Sequence, residues 1–250
     1  EPAVPAEPAH LPAAPGGFTG RASDLCALDD AAADRPGGPV VATIAGMAGI
    51  GKTSLALHWA HRVRDRFPDG QLFVNLGGHG PGSPVPPDRV LAQLLRALDV
   101  PAEQIPTDVQ TAAGLYRSTV AGRRILLVLD NARDADQVLP LLPGETGCFV
   151  VVTSRDQLGG LVTGVGARLI TLDLVSAGEA RAILAHRVGA HRIDSEPAAV
   201  DRILARCARL PLALAIVGAR AAARPGVSLA TVAEELTDEL TDERDRLSAF

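Results

Sequence analysis

The spacing of apolar positions changes character along this chain, and the changes divide it. Val40 to Ala45, Arg124 to Asp130, Cys148 to Thr153 and Ala167 to Leu172 are short, nearly unbroken apolar runs, with Gln71 to Leu76 a further strand of the same length. Runs without in-and-out alternation suit parallel strands buried on both faces. Between them the period becomes helical. Leu55, Trp59, Val63 and Phe67 recur four apart and predict a helix reaching about Arg66, and further helices are expected over Ser23 to Ala33, Asp88 to Leu98 and Thr107 to Ala121. Arg35 to Pro39, Phe67 to Gly70 and the Gly- and Pro-rich stretch Gly77 to Pro87 supply breaks, a turn and an exposed loop. After Leu174 the strands stop. Ser176 to Val188, Glu196 to Ala208, Pro211 to Arg224 and Leu229 to Leu240 read as helices, the first opened by a capping box of Ser176 and Glu179. Strands alternating with helices argue for a three-layer α/β fold around a parallel sheet, over 17–174, followed by a small all-α domain, 175–250. Residues 1–16 have the proline and alanine content of an extended linker.

The first core strand leads into Gly46-Met47-Ala48-Gly49-Ile50-Gly51-Lys52-Thr53, with Ser54 and a helical pattern after it. This is the phosphate-binding P-loop, and strand, glycine loop and helix are the context that gives the motif meaning. Glycines let the backbone wrap a phosphate, and the amides of about residues 49 to 54 add to the positive end of the helix. Lys52 is placed to reach the β- and γ-phosphates of ATP, and the Thr53 hydroxyl to sit on Mg²⁺. The fold class is therefore that of a P-loop NTPase.

Composition sharpens the lysine. Among 24 Lys and Arg residues, Lys52 is the single lysine. Arginine is a planar fork and does not replace a compact ammonium under a P-loop. A net charge of −5 gives no general attraction to nucleic acid, and the acidic end, Glu234 to Asp245, reads as a solvated helix face. No apolar run approaches a membrane span, so no membrane partner and a cytoplasmic location are expected. Cys26, Cys148 and Cys207 lack metal-ligand spacing and read as buried, reduced thiols. A glutamate at position 1 suggests a fragment or processed chain.

Asp130 ends an apolar strand, the pattern of an acid that holds the Mg²⁺ water shell. The following position, where a second acid commonly orients the lytic water, is Asn131. An amide positions water but is a poor base, so slow ATP hydrolysis is expected. Arg155 follows the fourth strand, at the sheet edge where ligands of parallel sheets sit, and is a candidate for reading the γ-phosphate. Leu210 and Pro211 begin a helix whose apolar rim suits either an adenine or core packing.

Phe18-Thr19-Gly20-Arg21, the P-loop, Phe67 to Leu76, Leu129-Asp130-Asn131-Ala132, Thr153-Ser154-Arg155 and Leu210-Pro211-Leu212-Ala213 together resemble the NB-ARC module of STAND ATPases, the class of apoptosome scaffolds and plant resistance proteins. With His58-Trp59-Ala60-His61, the wording is most similar to actinobacterial SARP-type transcriptional regulators of secondary metabolism. The resemblance implies that Phe18, Thr19, Gly20 and Arg21 line the adenine site, that Asp130 serves Mg²⁺, that Arg155 is the sensor and that Pro211 presses on the base. It implies an ADP-held closed state, opening and self-association on exchange for ATP, and DNA contact through a domain outside this chain. Gly77 departs from the family, which often carries arginine there. The winged-helix domain with its phosphate-sensing histidine is also expected to lie outside. The competing expectation is a turnover-competent ATPase of motor or remodelling type. Direct DNA binding and small-molecule kinase activity have no signature here.

Overall fold

The computed structural model describes residues 8–33, 39–80 and 82–236. The break at 35–38, the first seven residues and the acidic end beyond 236 lie outside the described residues. The described residues divide into two compact units, one from 8–15, 22–33, 39–48, 52–80 and 82–172 and one from 16–21, 49–51 and 173–236.

The first unit is built on a parallel sheet. Its strands are β1 (Val40–Ala45), β2 (Gln71–Asn75), β3 (Leu126–Ala132), β4 (Phe149–Ser154) and β5 (Arg168–Thr171), in spatial order β2-β3-β4-β1-β5. Around them lie α1 (Ala22–Ala33), α2 (Lys52–Val63), α3 (Pro87–Ala97), α4 (Val109–Val120) and the short α5 (Ala135–Val138) and α6 (Gly159–Val165). Alternate strand residues explain the layers. Val41, Leu127, Leu129, Val150 and Val152 form one core with Leu91, Leu94 and Leu95 of α3 and Tyr116 of α4. Their buried neighbours Ala42, Ile44, Val128 and Val151 face the other way, where α1 and α2 pack. There the fully buried Trp59 stacks at 5.0 Å on Phe149 and donates its indole N–H to Asp29 at 2.9 Å. The four-apart series ends as expected in buried Val63 and Phe67, but α2 tightens into a 3-10 turn over Arg64–Arg66.

Three differences from the sequence pattern have physical causes. The linker 1–16 is not free over its described part. Pro8 O accepts from Gln71 N at 2.7 Å, His10 N donates to Gln71 O at 2.9 Å, and His61 Nε2 meets Pro12 O, so residues 8–12 dress the edge of β2. Gly16, expected at the end of the linker, and Gly17–Arg21, expected inside 17–174, group with the helical unit, where Arg21 bonds. Cys26 is exposed, since it falls on the outer side of α1 between buried Leu25 and Leu28. Cys148 and Cys207 are buried.

In the second unit, α7 (Ala177–Val188), α8 (Ala190–Ser195), α9 (Pro197–Arg206), α10 (Pro211–Ala222) and a helix from 229 to 236 enclose a core of Val175, Leu184, Ile203, Leu214 and Leu229, among others. Glu196 ties the last helix in by accepting from Leu229 N and Ala230 N at 2.9 and 3.0 Å. α8, like α5 and α6 in the first unit, is too short to reveal a period in the sequence.

Candidate functional site

In the first unit, β1 delivers the chain to Gly46, and α2 begins at Lys52. The Lys52 ammonium turns back on the loop, donating to Gly46 O at 2.7 Å and Met47 O at 2.9 Å. Burial lowers its pKa first and the Arg155 charge second, while Asp130 raises it. The arginine after β4 is thus close enough to be felt by the lysine. Arg155 is exposed and makes no hydrogen bond or ion pair among the described residues.

At the second residue of the helix, Thr53 Oγ1 donates to Asp130 Oδ1 at 2.7 Å. Asp130 is buried at 6% exposure, and the same oxygen accepts from Thr153 Oγ1, also at 2.7 Å. Burying a carboxylate is tolerable only when it is paired in this way. The strand itself is bent to make the pairing. Leu129 faces Val152, but Ala132 faces Ser154, so β3 spends an extra residue at Asp130-Asn131. A bulge of this kind re-aims side chains beside a site. Asn131 takes φ +58, a conformation that asparagine tolerates, and its N–H donates to Thr153 Oγ1 at 2.9 Å. Thr153 therefore accepts from the bulge and donates to the acid.

Asn131, whose amide is expected to position water, donates from Nδ2 to His79 O at 3.0 Å, in the loop after β2.

A hydroxyl and a carboxylate in contact form a hard oxygen pair. Among the described residues no group of three or more His, Cys, Asp and Glu could cage a metal. That donor set fits Mg²⁺, which keeps several waters and leans on substrate phosphates, better than a metal that needs a full protein shell.

The second unit gathers the other expected contacts. Arg21, at φ +62 and 8% exposure, donates from Nη2 to Ile50 O at 3.0 Å and from its backbone N to Glu179 Oε1 at 2.7 Å. Leu212 N donates to Gly49 O at 3.1 Å, and a Cβ on Gly49 would approach Leu212 Cβ to 3.0 Å. So Gly49, Ile50 and Gly51 of the P-loop share a unit with Phe18, Thr19, Gly20, Arg21, Leu210 and Pro211. Phe18, Thr19 and Gly20 are half-buried, as are Leu210 and Pro211, where α10 starts with proline at its first position. In the first unit Met47 and Ala48 are exposed and Ser54 is half-buried.

A model of the NB-ARC domain matches residues 30–193, well over half of the chain. The chain belongs to the NB-ARC family. It is 44% identical over 238 residues to the regulatory protein AfsR of Streptomyces coelicolor, covering 93% of this chain and 24% of that protein. AfsR of Streptomyces griseus is 44% identical over 234 residues, with the same coverage. The chain thus spans about a quarter of the length of these curated relatives. Among solved structures, Cdc6p of Pyrobaculum aerophilum superposes with a TM-score of 0.60 at 18% identity, over 86% of this chain and 65% of that one. A Walker-type ATPase of Pyrococcus abyssi reaches 0.57 at 8% identity, over 92% and 76%. Such likeness shows the fold, the P-loop α/β architecture with helices that the NB-ARC match carries. No helix among the described residues is long and apolar enough to cross a membrane.

Sequence reasoning passed over Thr153 and Glu179 as site residues. Thr153 had a signal, a hydroxyl on an otherwise apolar strand one residue before the turn to Arg155. Glu179 was read only as half of the capping box, which the structure contains in full, yet its other oxygen takes the Arg21 N–H. Those bonds, Arg21 first and then Ser176, lower its pKa. A depressed carboxylate adds stability above its unfolded pKa and loses it as pH falls through the folded value. Glu179→Gln should therefore lower the urea midpoint of unfolding at neutral pH, and the gap to the parent protein should close below the ordinary value of 4.5. A gap independent of pH would contradict this role.

Proposed function

We propose that this NB-ARC domain is an ATP/ADP-binding switch with slow ATPase activity, serving a transcriptional regulator of secondary metabolism. The observation that carries the proposal is the 2.7 Å contact of Thr53 with Asp130, which brings the P-loop helix and the end of β3 to one oxygen. Lys52 and Thr53 would hold the phosphates, Thr53 and Asp130 the Mg²⁺, and Phe18 to Arg21 with Leu210 and Pro211 the adenine. When bound, Mg²⁺ supplies charge neutralisation between the β- and γ-phosphates. Asp130, already buried and hydrogen-bonded, would help hold that ion through water. The 44% identity to two AfsR proteins, both regulatory proteins by name, supports the regulatory setting.

The switch follows from energetics. A nucleotide shifts a conformational equilibrium only by its differential affinity for the two states. Arg155, exposed after β4, would contact the third phosphate alone. In the full-length protein the response would be self-association and DNA contact through other domains. A fast, motor-type ATPase is disfavoured by Asn131, which stands where a second acid would serve and whose amide is spent on a backbone carbonyl.

The test is calorimetric. Lys52→Ala should abolish ADP and ATP binding while circular dichroism stays unchanged, because the ammonium bonds only carbonyls of its own loop. Unchanged affinity would remove the nucleotide assignment. Arg155→Ala should weaken a non-hydrolysable ATP analogue by roughly ten- to a hundredfold, the worth of a charge-assisted contact of about 1.5–3 kcal/mol, and leave ADP unaffected. Equal weakening of both would show that Arg155 does not read the γ-phosphate.

A further inference from the structure

The middle of the P-loop is gripped by its carbonyls, within the second unit. Arg21 Nη2 donates to Ile50 O at 3.0 Å, and Leu212 N donates to Gly49 O at 3.1 Å. Gly49, Ile50 and Gly51 belong to the same unit as both donors. The fit is close. A Cβ on Gly49 would come within 3.0 Å of Leu212 Cβ and 3.3 Å of Leu210 Cδ2.

Each of these bonds fixes a whole peptide plane. The C=O and the N–H of one trans peptide point to opposite sides. A guanidinium on Ile50 O therefore sends the N–H of Gly51 the other way, and Leu212 on Gly49 O does the same to the N–H of Ile50. Neither N–H has a hydrogen-bond partner among the described residues. Successive amides without partners, between glycines at φ +76 and +102, form a concave nest that suits an anion.

Arg21 is itself held against its preference. At φ +62 it occupies the left-handed region, which a residue with a Cβ disfavours. Its N–H donates to Glu179 Oε1 at 2.7 Å, while Glu179 Oε2 accepts from Ser176 N at 2.9 Å and Ser176 Oγ at 2.8 Å. Gly20, at φ +77, leaves no room for a side chain, since a Cβ there would meet Glu179 Oε1 at 2.4 Å. A glycine at position 21 would keep this backbone and its Glu179 bond without strain. What arginine adds is the bond from its buried side chain to Ile50 O.

We propose that Arg21 is a positioning residue for phosphate binding: its guanidinium locks the Ile50–Gly51 peptide so that the Gly51 N–H donates to a phosphate oxygen, and Glu179 locks Arg21. This rests on the nucleotide-binding function proposed above, and it gives the Arg21 side chain a task apart from the adenine. The ligand is a nucleoside di- or triphosphate, and the arginine acts on it through the loop. A guanidinium stays charged when buried and holds its donors in a rigid fork, which suits the grip on a carbonyl. Without it the Ile50–Gly51 peptide is free to flip, and a flipped peptide turns its carbonyl toward the anion.

Two substitutions test this. Arg21→Gly removes the guanidinium and relieves the strained φ, and Arg21→Lys keeps the charge but replaces the fork by a point donor. Ile50-Gly51 is the single Ile-Gly pair in the chain, so carbonyl-¹³C isoleucine combined with ¹⁵N glycine marks this one peptide for magnetic resonance. Parent and variants are compared in circular dichroism, in calorimetric affinity for ADP and in the shift of the Gly51 amide proton when ADP is added. We expect Arg21→Gly to fold as the parent does, to bind ADP roughly ten- to a hundredfold more weakly, the worth of one hydrogen bond to a charged group, and to lose most of the downfield shift at Gly51. Arg21→Lys should fall between. Unchanged ADP affinity in Arg21→Gly would overturn the proposal. So would weaker binding with a parent-like Gly51 shift, which would put the side chain on the adenine, and so would loss of the fold, which would mark a structural residue. A Gly51 amide that ADP leaves unmoved in the parent would overturn it as well. Failure of the parent to bind ADP would instead refute the nucleotide-binding function, and this role with it.

Discussion

Asp130 Oδ1 accepts a hydrogen bond from Thr53 at the start of α2 and another from Thr153 near the end of β4, and this shared oxygen joins the ends of β3 and β4 to the P-loop helix. A buried carboxylate is costly unless its lone pairs are used. Here they are used by hydroxyls from two different elements, at the start of α2 and near the end of β4. The bulge at Asp130-Asn131 is the local price in backbone geometry, and the positive φ of Asn131 follows from it.

The same constraint propagates outward. Because Asn131 turns at the bulge, its N–H reaches Thr153 and its amide reaches the loop after β2. That loop approaches so closely that Gly78 has no room for a Cβ, and Gln137 closes it at both ends. The apolar layers supply rigidity beneath, with Trp59 and Phe149 on one side of the sheet and the leucines of α3 on the other. The rim of strand ends is thus pre-organised, which is what electrostatic stabilisation of a phosphoryl group requires.

Much of this was legible before any coordinates. The P-loop, the lone lysine and the acid closing an apolar strand each carry their chemistry in local order, and apolar runs without alternation announce buried parallel strands. The capping box of Ser176 and Glu179 was equally plain. What the sequence hid depends on neighbours distant in the chain. Strand order is not written in periodicity, so nothing placed Thr153 against Asp130. The strand expected to stop at Asp130 runs on to Ala132 because a bulge needs a partner strand to exist. Asn131 was visible as a missing acid but not as a latch, since its donor finds a carbonyl more than fifty positions away. Residues 8–12 looked like linker by composition, and only the open edge of β2 turns them into a bridge.

The account's central claim is that Thr53 and Asp130 form one half of a Mg²⁺–triphosphate site. The direct measurement is the affinity for a non-hydrolysable ATP analogue with Mg²⁺ and with a chelator, in the parent protein and in Asp130→Asn. The account predicts that chelation weakens the parent's affinity by about tenfold or more, since an ion that Thr53 and Asp130 would help hold is lost, and that Asp130→Asn has little Mg²⁺ dependence left to lose. Affinity in the parent that is indifferent to Mg²⁺, or a Mg²⁺ dependence untouched by Asp130→Asn, would contradict it.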